Sequence, residues 1–174
     1  MALAVCLLFD GPAERRLRAL WARLEDLGVP ALGSHTHQRH VPHLSYAVLR
    51  EWNLDLARAA IEALPDSGPI DLYFDALGTF RRGRVWLIPA TTSVLAVRQE
   101  RVVNAIRGTG MELHRNYAPG FWTPHCTLAP RVGLSALPLV AAAVYDVLPL
   151  HARADHAALV DSGNGTVHRL KNVP

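Results

Sequence analysis

Two short stretches of the chain carry the same set of side chains capable of chemistry. Residues 42–45 read Pro42-His43-Leu44-Ser45, and 82 positions further on residues 124–127 read Pro124-His125-Cys126-Thr127. In an extended strand, residues i and i+2 point to the same face. Each stretch would therefore set one imidazole beside one hydroxyl and turn Leu44 or Cys126 inward. Histidine is the side chain whose ordinary pKa allows it to take or give a proton near neutrality. Two imidazoles and two hydroxyls in one cleft would suit phosphodiester chemistry. One ring would deprotonate an attacking water or ribose hydroxyl, and the other would protonate the leaving oxygen. The hydroxyls would hydrogen-bond the non-bridging oxygens as their charge is redistributed. The two rings cover the proton traffic, so neither a metal nor a cofactor is expected.

Either stretch alone reads as a hydrogen-bonded structural histidine; two copies on equivalent strands favour catalysis. The surrounding pattern supplies that equivalence. Residues 2–10 read as a buried strand, and 13–27 as a helix with Leu17, Leu20, Trp21, Leu24 and Leu27 on one face, stopped by Gly28. A strand at 41–50 follows, then a short helix capped by Asn53 or Asp55, with Leu56, Ala60, Ile61 and Leu64 inward, then a strand at 70–77. The order repeats with a strand at 84–90, a helix at 92–107, a strand at 123–129, a helix from Ser135 to about Val147 and a strand at 152–161. Asn164-Gly165 marks a turn into a last strand at 166–171. Two copies at a period of about 80 residues point to an internal duplication rather than a repeat array. The expected fold is α+β: one bilobal domain over residues 1–174, with approximate halves 1–78 and 79–174.

PHLS and PHCT at this separation resemble the paired H-x-T/S signatures of the 2H phosphoesterase superfamily, most closely its bacterial 2′-5′ RNA ligase or RNA 2′,3′-cyclic phosphodiesterase branch. YAPGFWTPHCTLAPRV (residues 117–132) and VWLIPA are similar to that branch as well. The similarity runs along nearly the whole chain, with Ser45 standing where threonine is commoner. It implies pseudo-dyad-related halves, each a small, mostly antiparallel sheet with flanking helices around a central cleft. It also implies His43 and His125 as the catalytic pair and Ser45 and Thr127 as phosphate donors. In related enzymes the imidazole of the second motif activates the attacking water and that of the first protonates the leaving oxygen. This makes His125 the base and His43 the acid, with the roles exchanged in the reverse reaction.

Residues 35–43 hold four histidines, His35, His37, His40 and His43. His35 and His37 could form half of a metal site only if 34–38 is extended. Zinc needs four ligands, or three and a water, and no second cluster stands at ligand spacing. The segment reads as a polar approach to the His43 strand, or else as one that brings Arg39 or His40 to the cleft mouth. Arg131 either reaches a phosphate or is solvated. Phe80, Arg81 and Arg82, with Arg84, form either an RNA-contact patch or a solvated turn. Tyr117, Phe121 and Trp122 crowd the approach to His125, where one could stack on a nucleobase, although Trp122 could equally be core. Trp21, Trp52 and Trp86 fit packing roles.

Half the residues are hydrophobic and the net charge is +3, which permits an anionic substrate without demanding one. The early apolar run ALAVCLLF is too short to span a bilayer and has no basic leader. Cys6 and Cys126 lie in apolar runs without a CxxC partner and read as buried, reduced thiols, so a cytoplasmic location is expected. The expected activity is metal-independent hydrolysis of a 2′,3′-cyclic phosphate, or handling of 2′-5′ linkages, by a monomer with no membrane partner. RNA ends or small nucleotides would be the substrates. The alternatives are a non-catalytic RNA- or nucleotide-binding module of the same fold, and a metalloprotein built on the 35–43 histidines.

Overall fold

The computed structural model describes residues 2–174. Strand β1 (Leu3–Phe9) is wholly buried because both its faces are covered. Leu3, Val5, Leu7 and Phe9 enter the main core, while Ala4, Cys6 and Leu8 join Ala158 and Val160 in a second, smaller cluster on the opposite face. Helix α1 (Gly11–Asp26) starts where the Asp10 carboxylate accepts from the Ala13 amide at 2.9 Å and ends at Gly28, whose φ of 78° suits a residue without a Cβ. Then come β2 (His43–Glu51), α2 (Leu54–Glu62), β3 (Ile70–Thr79), β4 (Val85–Pro89), α3 (Ser93–Gly108), the two-residue β5 (Glu112–Leu113), β6 (Cys126–Ala129), α4 (Leu137–Tyr145), β7 (Leu150–Asp161) and β8 (Val167–Arg169).

Asn53, not Asp55, caps α2, and this helix buries Ala57 and Ile61 while Leu56 faces solvent. Leu27 is likewise exposed, past the last turn of α1. Ser135 caps nothing; it sits within a 3-10 turn, Leu134–Ala136, that runs into α4. These differences arise at helix ends, where one residue of drift rotates a side chain by about 100°.

All strand pairings are antiparallel, and the sheet order is β5-β2-β1-β7-β3-β4-β6, with β8 beside β7. The core of this order, β2-β1-β7 followed by β3-β4-β6, is a palindrome. Each strand that follows a Pro-His pairs with the first strand of its own sequence half, β2 with β1 and β6 with β4. The third strands are exchanged: β7, from the second half, lies beside β1, and β3, from the first, lies beside β4. The residue ranges 1–78 and 79–174 are therefore interleaved in space.

Although β2 and β6 lie toward opposite ends of the pairing order, they come into contact. The sheet must curl to allow this; Trp122 Nε1, just ahead of β6, donates to Ser45 O on β2 at 3.0 Å, while Trp21 Nε1 to Thr127 O at 3.3 Å and Leu32 N to Leu128 O at 2.9 Å hold β6 to α1 and the loop that follows it. α1 packs with α4 and on β6 and β7, while α3 packs with α2 and on β2 and β5.

One buried polar side chain locks the region around β2. Tyr46 is skipped in the pairing of β1 with β2, where Val5 faces Ala47 and Cys6 faces Ser45, so Tyr46 and Ala47 both turn into the main core. Gln99 on α3 answers this bulge. Its Nε2 donates to Tyr46 O at 3.1 Å and to Tyr117 O at 2.9 Å. Gln99→Leu leaves both carbonyls without this donor and is expected to cost about 1–3 kcal/mol, read as a lower urea midpoint at unchanged slope.

Candidate active site

His43 is the first residue of β2, and His125 immediately precedes β6. Both strands begin later than the spacing predicts, at 43 rather than 41 and at 126 rather than 123. Two causes act together. Pro42 and Pro124 have no N–H to give a ladder. The carbonyls just before them are engaged with the imidazoles: His43 Nδ1 lies 2.7 Å from Val41 O, and His125 Nδ1 lies 2.7 Å from Thr123 O. A carbonyl only accepts, so Nδ1 must be the protonated nitrogen in each neutral ring, and Nε2 is left to exchange a proton. The same i to i−2 bond, with a proline between, occurs at both sites.

Burial lowers the pKa of both rings. For His43 the loss of solvation outweighs the Val41 carbonyl, which favours the charged form. For His125 desolvation again dominates over the Thr123 carbonyl, and the positive charges of His43 and Arg84 lower it further. The charge of His43 bears on His125 because β2 and β6, which carry or adjoin the two rings, come into contact. Ser45 lies on β2 opposite Cys6, and Thr127 lies on β6 opposite Trp86. Ser45 is buried, with its Oγ 3.5 Å from Cys6 Sγ, and Thr127 is partly exposed.

His125 stands in an aromatic wall. Phe80 meets it edge-on with ring centroids 5.2 Å apart and an interplanar angle of 89°; Trp86 lies 5.5 Å away, and the two aromatics are 4.7 Å from each other. The Trp86 indole is seated over Gly78, its partner across β3 and β4, where any Cβ would collide with the ring. Trp86 thus packs, as its sequence context implies, but what it packs against is His125. Arg84, rather than Arg81 or Arg82, is the guanidinium whose charge is felt at His125; all three are exposed. Arg84 was one of three arginines in the turn, and nothing in their order singled it out. Arg131 is exposed beyond β6.

The aromatics ahead of His125 divide. Phe121 is 76% exposed and is available to a ligand. Trp122 is turned inward against Tyr46, with its N–H committed to the Ser45 carbonyl. Tyr117 is half-buried, its phenol pushed up to about 12 by desolvation and its carbonyl held by Gln99. Neither Tyr117 nor Trp122 therefore stands as a free stacking platform.

The segment 34–40 is a series of turns, not extended chain, with positive φ at Thr36 (46°) and Gln38 (58°). The His37 and His40 rings approach to 4.2 Å between centroids, and those of His35 and His40 to 5.8 Å. Among the described residues no group of three or more His, Cys, Asp or Glu is arranged to hold a metal ion. His40 is held down to about 4 by burial first, then by the charges of His37, His35 and His43. Cys6 and Cys126 are free, buried thiols. No helix among the described residues is long and apolar enough to cross a membrane.

An antiparallel α+β sheet curled to bring two histidine strands together is the fold of the phosphoesterases that this chain resembles in three dimensions. Residues 12–166 match the family model of the 2′-5′ RNA ligase superfamily, and the chain belongs to that superfamily. A crystal structure titled only as a phosphoesterase superposes with a TM-score of 0.64 at 16% identity, covering 97% of this chain and 94% of the other. Escherichia coli LigT complexed with NADP+ gives 0.61 at 16% identity, with 97% and 94% covered. The MHV ns2 PDE domain gives 0.54 at 16% identity, with 89% and 88% covered. No curated protein sequence matches the chain significantly. Membership of the superfamily supports phosphodiesterase- or ligase-type chemistry.

The lowered histidines link stability to pH. The unfolded chain binds protons at these rings near their ordinary value of about 6.5, whereas the folded chain resists them. Stability from His40, His43 and His125 is thus complete above about pH 6.5 and is lost as pH falls through that value. Urea midpoints are expected to drop between about pH 7.5 and about pH 5, and to drop less in His40→Gln. A second expectation concerns the seat of Trp86: Gly78→Ala should destabilise by about 1–3 kcal/mol through overpacking and should quench or shift the tryptophan fluorescence.

Proposed function

We propose that this chain is a metal-independent phosphodiesterase that opens 2′,3′-cyclic phosphates, or handles 2′-5′ linkages, at RNA ends or in small nucleotides. The observation that carries this reading is the repeated ring-to-carbonyl bond. Binding alone does not need two imidazoles with the same nitrogen protonated and the other left available; a proton relay does. His125 Nε2 takes the proton from the attacking water, the P–O bond to the leaving ribose oxygen breaks, and protonated His43 Nε2 delivers a proton to that oxygen. Ser45 and Thr127 donate to the non-bridging oxygens, where charge is redistributed in the pentavalent species. Arg84 supplies positive potential beside His125, and Arg131 is a second candidate for the phosphate. Phe80 and Phe121, with Arg81 and Arg82 at the same turn, are the groups exposed for a base or a neighbouring phosphate. The nucleotides bound by E. coli LigT in its complexes with NADP+ and ATP support a nucleotide-sized ligand. The reduced thiols fit a cytoplasmic setting, and one chain holds every group named, so a monomer suffices.

Hydrolysis of nucleoside 2′,3′-cyclic monophosphates in excess chelator tests the proposal. Retained activity is expected, with His43→Ala and His125→Ala each lowering kcat by about 10²–10⁴. Wild-type rates in either variant would remove the assigned roles, and loss of turnover on chelation would remove metal independence. The competing reading, a non-catalytic binding module, requires tight nucleotide binding with no product after long incubation. The pH profile is a further test. One ring must be charged and the other neutral, and burial lowers both pKa values. The optimum of kcat/KM should therefore fall below the ordinary histidine value of about 6.5.

A further inference from the structure

We infer that a pocket at the centre of the sheet, lined by Tyr73, His151, Arg153 and Asp71, is a subsite for the nucleotide next to the reacting phosphate, which makes an RNA end the preferred substrate over a mononucleotide. The inference rests on the phosphodiesterase reading above and deepens it by naming the substrate class.

β3 and β7 meet at the centre of the strand palindrome, with β7 two strands from β2 and β3 two strands from β6. Along this pair Ile70, Leu72 and Phe74, with Leu150, Ala152 and Ala154, enter the main core. The residues between them must face the other way. Asp71 is opposite Arg153 and Tyr73 is opposite His151, so the four stand together on that second face. It is also the face of the histidine motifs. Leu8, which turns away from the main core, is opposite both His43 and His156, and Arg153 lies three residues before His156. Tyr73 holds the matching place for the other motif. Cys126, next to His125, is opposite Leu87, Leu87 is opposite Leu77, and Tyr73 lies four residues before Leu77. From His43 to Arg153 is about 14 Å along the sheet, a span that suits a nucleotide adjoining the one whose phosphate lies at the histidines.

The four side chains, with Asp10, line a cavity of about 330 Å³. Their chemistry selects the occupant. Tyr73 is 37% exposed, and its ring meets His151 with centroids 4.8 Å apart at an interplanar angle of 56°. A phenol ring supported on one side and open to solvent is a platform for a nucleobase. Arg153 lies 3.4 Å from Asp71, both of them exposed, so the pair is weak and the other guanidinium donors are free for a phosphate oxygen. Asp71 only accepts, which suits a ribose hydroxyl or a base N–H. A free anion would meet two carboxylates here, Asp10 and Asp71, whereas a nucleoside flanked by a phosphate uses the ring, the acceptor and the cation together. None of the four belongs to the catalytic set, so their loss leaves the chemistry in place.

The test compares kcat/KM on adenosine 2′,3′-cyclic monophosphate with kcat/KM on the dinucleotide ApA ending in the same cyclic phosphate. Wild-type protein should favour the dinucleotide about tenfold. Tyr73→Ala should abolish that advantage and leave mononucleotide turnover and melting temperature unchanged, while Tyr73→Phe keeps it. A dinucleotide with an abasic 5′ residue should lose the advantage in wild-type protein. Arg153→Gln should reduce the advantage and flatten its fall with added salt. Equal rates on the two substrates, an advantage that survives Tyr73→Ala, or equal losses on both substrates overturn the inference and leave the phosphodiesterase reading intact. Should wild-type protein turn over neither substrate, that reading falls, and calorimetry compares adenosine 3′-monophosphate with ApA 3′-monophosphate. Tighter dinucleotide binding that depends on Tyr73 then keeps the subsite; equal affinities, or no binding, overturn it as well.

Discussion

An imidazole can pass a proton in a chosen direction only when its other nitrogen is committed elsewhere. Here the commitment is local: each catalytic candidate gives its Nδ1 proton to the carbonyl two residues earlier, over a proline. That bond settles the tautomer and orients the ring. It also takes a carbonyl out of the sheet, which is why β2 and β6 begin at or after their histidines. The beginning of regular pairing and the orientation of the ring are thus one event, repeated at both Pro-His pairs.

What a local bond cannot do is bring the two rings together, and that falls to the sheet. Exchange of the third strands places β3 and β7 side by side at the centre and leaves β2 and β6 on the flanks. Where those flanks return to each other, the Trp122 indole N–H bridges to the Ser45 carbonyl on β2, and the Trp21 indole N–H holds the Thr127 carbonyl of β6 to α1. Buried carbonyls at such a join would otherwise lack partners, and an unpaired polar group in the interior costs about 1–3 kcal/mol. Tryptophan suits the task because one side chain supplies both apolar area and a single donor.

The surroundings of the two hydroxyls differ even though the motifs match. Ser45 is buried against Cys6 and Trp122, both of them neutral, whereas Thr127 lies beside the wall of Phe80, Trp86 and His125, with Arg84 nearby. The two matching motifs thus have one buried, uncharged setting and one more open setting with positive charge nearby.

Much of this was legible along the chain. The α+β class, the order of the elements apart from the two-residue β5 and the paired Pro-His-apolar-hydroxyl motifs follow from hydrophobic period and from spacing, because both depend only on neighbours within a strand or helix turn. Gly28 as a helix stop and Asn53 as a cap candidate were readable for the same reason. The bulge at Tyr46, the exchange of β3 and β7, the seat of Trp86 on Gly78 and the Gln99 bonds to the Tyr46 and Tyr117 carbonyls were not. Each depends on which strand lies next to which, and alternating burial specifies a face without naming the neighbour beyond the edge. The residues that can move a proton were therefore determined locally, while the partners that aim them were chosen only when the sheet closed on itself.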